Sequence, residues 1–209
     1  MKMPPTTPFL SAVANRHSNY ALLKQSPIPN SRILEIVHHA LAYGPSPFNV
    51  RSARCLVLFG DHHTHLWQHS YDAIERETPA SLALLGPKIK GYQAAYGTLL
   101  RYPQVLFFDD AEAVLTLPSR FQALYKQFPE WEEHSSGMHQ YIVWTALAAE
   151  GLGCNLQHYQ KVIGTYLRER YGIQETWRCK AQLVFGSLGD EAYEEKGKTG
   201  LAEAMRVYG

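Results

Sequence analysis

The run Tyr141-Ile-Val-Trp-Thr-Ala-Leu-Ala-Ala149 has no clean polar face. A helix that is apolar all round is buried on every side rather than lying on a surface. The rest of the chain therefore has to wrap this segment. Ser135 or Ser136 can cap its start, and Gly151 or Gly153 can adopt the left-handed conformation that ends it. Cys154-Asn-Leu-Gln-His-Tyr159 follows and is short enough for a strand. A buried helix that passes through two glycines into a strand lets main chain approach something flat with no side chain in the way. The same residues also read as a plain core helix with a glycine stop.

Other segments supply the layers around that helix. Ile33, Ile36, Val37, Ala40 and Leu41 recur at helical spacing after Asn30 or Ser31, either of which can cap them. Phe9 to Ala14 reads as a short helix, and Lys161 to Tyr171 as an amphipathic one. Residues 80–97 are expected to be helical after Pro87, and residues 111–128 to be helical with an interruption at Pro118. Strands are expected at residues 53–60, 104–109 and 178–186, the middle one continuous in apolar side chains and so interior to a sheet. No repeat or linker interrupts the 209 residues, which predicts one domain over residues 1–209. Strands separated by helices predict an α+β layered fold.

Charge and cysteine content exclude several functions. A net charge of +1 gives no electrostatic reason for nucleic acid or an anionic membrane as partner. No apolar stretch is long enough to span a bilayer, and the first residues lack the apolar region of a secretion signal. Cys55, Cys154 and Cys179 form no paired framework, so a reducing cytoplasm is the expected setting.

Local chemistry alone does not identify a reaction. There is no Gly-x-Ser-x-Gly elbow, Walker loop or Gly-x-Gly-x-x-Gly turn. Asp61-His-His-Thr-His65 is read as a solvated turn rather than a metal site, because no carboxylate or cysteine set stands at ligand spacing. His65 and His69 lack the glutamate of the metalloprotease motif. Asp109 and Asp110, at the exit of a strand, are read as caps for the helix that follows. Arg16, His17 and Ser18 place two basic side chains and a hydroxyl together, a set suited to gripping a phosphate.

Several segments taken in order resemble the nitroreductase family. They are Asn15-Arg-His-Ser-Asn-Tyr-Ala-Leu22, Pro45-Ser-Pro-Phe-Asn-Val-Arg-Ser52, Arg54-Cys-Leu-Val-Leu-Phe-Gly60, Phe107-Phe-Asp-Asp110, His134-Ser-Ser-Gly-Met138, Gly151-Leu-Gly-Cys-Asn-Leu-Gln-His-Tyr159 and Gln182-Leu-Val-Phe-Gly186. More narrowly, the chain is similar to the branch that includes the fungal fatty-acid-repression proteins and the bacterial copper-induced nitroreductases. The resemblance implies a three-layer α/β/α sandwich with a central mixed, mainly antiparallel sheet, intertwined as a homodimer that holds FMN at the subunit interface. It also implies transfer of electrons from NAD(P)H through the flavin to nitroaromatics, quinones or related small acceptors.

Residue by residue, the resemblance implies that Arg16 meets the FMN phosphate while His17, Ser18 and Tyr20 contact flavin or ribityl. Pro45, Ser46, Phe48 and Asn49 match a loop lent across the dimer. Arg51, where the branch commonly carries a different residue, becomes the candidate cation favouring reduced flavin. Gly153, Cys154 and Asn155 match the segment beside the ring edge, where an open glycine would admit a main-chain N–H to N5. Lys196, Lys198 or Arg206 would complete the phosphate site. Because the cofactor carries the hydride and electron chemistry, no catalytic residue of the protein's own is expected. A flavin-binding stress or regulatory protein with incidental turnover is the alternative. A metal-binding protein built on His62, His63 and His65 is a third reading.

Overall fold

The computed structural model describes residues 6–23, 25–77, 103–189, 197 and 200–209. The helices are α1 (Thr7–Asn15), α2 (Asn30–Tyr43), α3 (Gly60–Glu77), α4 (Phe128–Ala149), α5 (Gln160–Tyr171) and the short α6 (Leu201–Ala204). The strands are β1 (Leu22–Leu23), β2 (Ala53–Leu58), β3 (Gln104–Asp110), β4 (Leu152–Gln157) and β5 (Trp177–Leu188). Single 3-10 turns form at Pro47–Asn49, Ala113–Thr116 and Ser119–Leu124. The expected helix over residues 80–97 lies outside the described residues.

All strand pairings among the described residues are antiparallel, in the order β1-β5-β3-β2 with β4 also on β5. An isolated parallel bridge joins Ser18 to Cys154. The pleat of β3 sends alternate side chains to opposite faces. Val105 and Phe107 meet α2 and α4 through Ile33, Ile36, Val37, Val143 and Leu147. Leu106 and Phe108 meet α3 and α5 through Leu66, Ile163 and Leu167. Helices thus cover both faces of the sheet in three layers, as the sequence predicts.

Between Phe107 and Phe108 the pairing with β5 slips from Ala181 to Cys179. Lys180 is the extra residue of this β-bulge. Ala181, Leu183 and Phe185 face the α2/α4 layer, whereas Cys179 and Trp177 pack in the α3/α5 layer.

Some expectations need correction. The central helix begins at Phe128, with Pro129 in its first turn, not at Ser135 or Ser136. Those serines are buried inside the helix and their hydroxyls bond elsewhere, Ser135 Oγ to the Pro45 carbonyl at 2.7 Å. Nor is this helix covered all round by its own chain. Val143 and Leu147 are fully buried, but Ile142 and Ala146 line an open groove with Ile36, His39, Arg32 and Glu35 of α2.

Residues 61–65 form no turn. They are the first turns of α3, where His63, Leu66, Trp67, Ser70 and Ala73 are buried at helical spacing. Residues 111–128 make 3-10 turns on either side of Pro118 instead of one α-helix. No side-chain cap forms at Asn30 or Ser31, and Pro29 stands at the cap of α2. The strand after α4 starts two residues earlier than expected, because Gly153 already pairs with Gly186. It ends at Gln157, and the Tyr159 N–H donates to Gln182 Oε1 at 3.1 Å.

Candidate functional site

α1 packs on α4 and ends at Asn15, after which Arg16 turns extended and the chain runs alongside β4. The Asn19 N–H donates to the Cys154 carbonyl at 2.8 Å, and Asn155 Nδ2 donates to the Asn19 carbonyl at 2.8 Å. Residues 16–20 and 153–155 are thereby stitched together. Asn155 and Cys154 are fully buried, while Ser18 and Tyr20 are exposed and His17 is half-buried. Burial pushes the Cys154 thiol up, opposed only by the Arg16 charge, so it is no thiolate nucleophile. The Cys55 and Cys179 thiols are likewise pushed up by burial, to about 12.

Gly153 is glycine for a different reason than an open approach. A Cβ there would stand 2.6 Å from Leu22 Cδ2 and 2.8 Å from Leu188 Cδ2. The room is filled by the chain's own side chains.

Arg16 is the cation at this junction. Its guanidinium carbon lies 4.3 Å from the centroid of the Trp144 ring and 5.9 Å from that of Tyr141. Arg16 Nε is buried with no hydrogen-bond partner, and so is the indole Nε1 of Trp144. Among the described residues no carboxylate pairs with Arg16, whereas Arg32 bonds Glu35 and Glu150 and Arg54 bonds Asp110. Trp144 and Tyr141 were legible only as core aromatics. Their positions facing residue 16 depend on how α1 crosses α4, which no local motif encodes.

The Pro45–Arg51 loop lies further toward the start of α4. The Pro45 carbonyl accepts from Ser135, and Ser46 Oγ accepts from the Arg51 N–H at 3.0 Å. Phe48, Asn49 and Arg51 have φ of 50°, 54° and 54°. The left-handed region costs a non-glycine residue about 1–2 kcal/mol, and such strain clusters at functional sites. Phe48 stays 49% exposed, although its ring meets those of Phe121, Phe128 and Trp131 at 4.6, 5.8 and 6.1 Å. Arg51 is exposed and its Nη2 donates to the Ala42 carbonyl at 3.0 Å, near the end of α2. Ser135 and Trp144, which mark the two groups of residues, are separated by about 13 Å of helix rise. Each group is held against its own part of α4. Lys196 and Lys198 lie outside the described residues, and Arg206 is exposed beyond α6.

A buried carboxylate cluster, absent from the sequence reading, sits beneath this loop. Asp109, Glu132 and Ser52 are 1%, 4% and 0% exposed. Both Asp109 carboxylate oxygens, Glu132 Oε1 and Ser52 Oγ lack hydrogen-bond partners. Lys180 Nζ stands 3.6 Å from Asp109 Oδ2 and pairs more closely with Glu133. Burial, with Glu132 and Glu133 nearby, pushes Asp109 up to about 7 against the pull of Lys180. Burial raises Glu132 as well. The cap reading holds for neither aspartate: the turn at Ala113–Thr116 has Glu112 at its cap position and no side-chain cap, and Asp110 Oδ1 only accepts from the Glu112 N–H at 3.3 Å. Asp109 shares the inward face of Val105 and Phe107, and that alternation was the available signal.

The histidines of α3 do not converge. His63 is in the core, His69 stacks on Tyr166 at 4.3 Å, and His62 Nδ1 is 3.4 Å from the Tyr171 hydroxyl. Among the described residues no group of three or more metal-binding side chains could hold an ion. Among the same residues no helix is long and apolar enough to cross a membrane.

Known proteins show the same architecture. The yeast nitroreductase FRM2 of Saccharomyces cerevisiae is 33% identical over 99% of this chain and 100% of its own length. The nitroreductase CinD from Lactococcus lactis, solved in complex with chloramphenicol, superposes with a TM-score of 0.81 and 29% identity, covering 96% of this chain and 100% of that one. A structure from Desulfovibrio desulfuricans in complex with FMN shares the fold, at a TM-score of 0.65 and 16% identity over 100% of this chain and 99% of that one. The Nitroreductase family pattern matches residues 13–187, and with it the chain belongs to the nitroreductase family of oxidoreductases.

Proposed function

We propose that this protein is an FMN-dependent NAD(P)H oxidoreductase of the cytoplasm, a single domain over residues 1–209 acting as a homodimer on nitroaromatics, quinones or related small acceptors. The observation that carries the reading is Arg16, a half-buried cation whose Nε lacks an acceptor and which pairs with no carboxylate among the described residues. A buried donor without a partner costs about 1–3 kcal/mol, so a ligand that supplies the acceptor is favoured. The FMN phosphate has that chemistry, and the residues fit it. CinD and the Desulfovibrio protein, solved with chloramphenicol and with FMN respectively, support the same assignment.

Bound flavin would supply the hydride and electron transfer. The protein's part is to hold and to tune. Arg16 would hold the phosphate, and Ser18, His17 and Tyr20 would line the adjoining extended segment. Asn155, bonded to Asn19 and Gln157, would fix that segment rigidly. Pro45, Ser46, Phe48, Asn49 and Arg51 form the other half of the site, held away from Arg16 along α4. A second copy related by a two-fold axis would bring one chain's loop to the other chain's arginine. It would also cover the open groove between α2 and α4. Arg51, tied to the end of α2, would place positive charge where reduced flavin gains negative charge.

The test is direct. The purified protein should be yellow, should sediment as a dimer, and should bleach with NADH or NADPH under anaerobic conditions. A colourless preparation that takes up no added FMN refutes the proposal. Colour without bleaching by either nucleotide would favour the regulatory flavoprotein instead.

A further inference from the structure

We propose that Trp144 is a second phosphate-binding residue, its indole N–H donating beside Arg16 to the same phosphomonoester. This inference rests on the flavin reading above, but assigns to an apolar-looking residue of α4 a role in telling FMN from riboflavin. Three observations meet at this point. The Arg16 guanidinium is stacked over the Trp144 ring at 4.3 Å, well inside cation–π range. Arg16 Nε is buried without an acceptor, and the Trp144 Nε1 stacked against it is buried without one too. No carboxylate among the described residues neutralises the cation.

Buried N–H groups are paired in nearly all native proteins, and an indole nitrogen can only donate. Two orphan donors on stacked side chains, one of them charged, describe a place for one acceptor with several oxygens and negative charge. A phosphate monoester has three such oxygens, spaced to accept from both donors at once. The stack also limits the rotamers of Arg16, so less side-chain entropy is lost when the anion arrives. Trp144 acts in two ways here: its face holds the guanidinium, and its edge donates.

The experiment is a competition. Wild-type, Trp144→Phe and Arg16→Ala proteins, as purified, are each incubated with an equimolar excess of FMN and riboflavin. They are then freed of unbound flavin, and the bound flavins are quantified. Phenylalanine keeps a ring under Arg16 but has no N–H. The bound FMN-to-riboflavin ratio should fall roughly ten-fold in Trp144→Phe, the size of a hydrogen bond to a charged group.

A merely structural role for Trp144 would weaken both flavins together and leave the ratio unchanged, which overturns the proposal. Wild-type protein that takes up neither flavin overturns the flavin reading instead. Uptake without preference for FMN removes the phosphate site. The intact protein gives a second measure in indole-labelled spectra of its four tryptophans. The resonance lost in Trp144→Phe should shift with FMN and not with riboflavin; equal shifts refute the direct bond.

Discussion

Replacing Asp109 with asparagine should flatten the dependence of stability on pH. The Asp109 carboxyl is 1% exposed and neither oxygen has a hydrogen-bond partner, so its ionised form is poorly solvated. Its folded pKa is raised from 3.8 to about 7, by burial first and then by Glu132 and Glu133. A folded chain that binds a proton more tightly than the unfolded chain is most stable where both are protonated. It loses that advantage as pH rises through the folded value.

The affected window thus runs from about pH 4 to somewhat above pH 7. A shift of about three units corresponds to roughly 4 kcal/mol, an upper bound because Glu132 titrates with Asp109 and Lys180 partly compensates. The asparagine amide would carry no such charge. Relative to wild type, the variant should be near neutral at about pH 5 and more stable by roughly 1–3 kcal/mol at about pH 8.

Urea unfolding of both proteins at the two pH values, with saturating FMN throughout, would read the difference from the midpoints. A gap between variant and wild type that is the same at both pH values would refute the reasoning. So would a variant less stable than wild type at about pH 8. In either case Lys180 would be holding Asp109 ionised at both pH values.

Three further outcomes follow from the site's packing. Arg16→Ala should weaken FMN binding by roughly ten- to a hundred-fold, read as flavin released on dilution; full retention would rule out the phosphate role. Gly153→Ala should destabilise the protein by about 1–3 kcal/mol in thermal or urea melts, because Leu22 Cδ2 and Leu188 Cδ2 stand only 2.6 and 2.8 Å from where the Cβ would be and would have to shift. A variant as stable as wild type would mean that these leucines move aside freely. Asn155→Ala should cost about 1–3 kcal/mol and speed amide exchange in residues 16–20, because the Asn19 carbonyl loses its donor; unaltered exchange would show that the segment is held by its main chain alone.

Much of the architecture was legible because it rests on periodicity. Ile33, Ile36, Val37 and Ala40 repeat at the helical period, and Val105 to Phe108 are apolar on both faces. The start of α4 was missed because Pro129, Glu130 and Glu132 look like a loop, and a proline in the first turn is the exception that helices allow. The first turns of α3 were missed because three histidines outweighed the spacing of His63, Leu66, Trp67 and Ser70. The strained loop carries no local signal at all. Phe48, Asn49 and Arg51 adopt left-handed φ while the Phe48 ring meets Phe121 and the Arg51 guanidinium donates to the Ala42 carbonyl, contacts distant enough that no local pattern announces them. Of the candidate site, both segments 16–20 and 153–155 were singled out in the sequence, but the hydrogen bonds that stitch them together were not legible there. The Arg16–Trp144 stack did not appear in the sequence because it joins two helices that meet only in the fold.

Lys180 has the character of an insertion kept for its side chain. On its two sides, Cys179 and Ala181 face opposite layers, as immediate neighbours in an ordinary strand would. Excising Lys180 would therefore leave every inward-facing residue of β5 in phase, and would remove only a carbonyl that accepts from Gln160 and an ammonium held between Asp109 and Glu133. An irregularity with no part in packing persists there as the counter-charge to an otherwise unshielded acid.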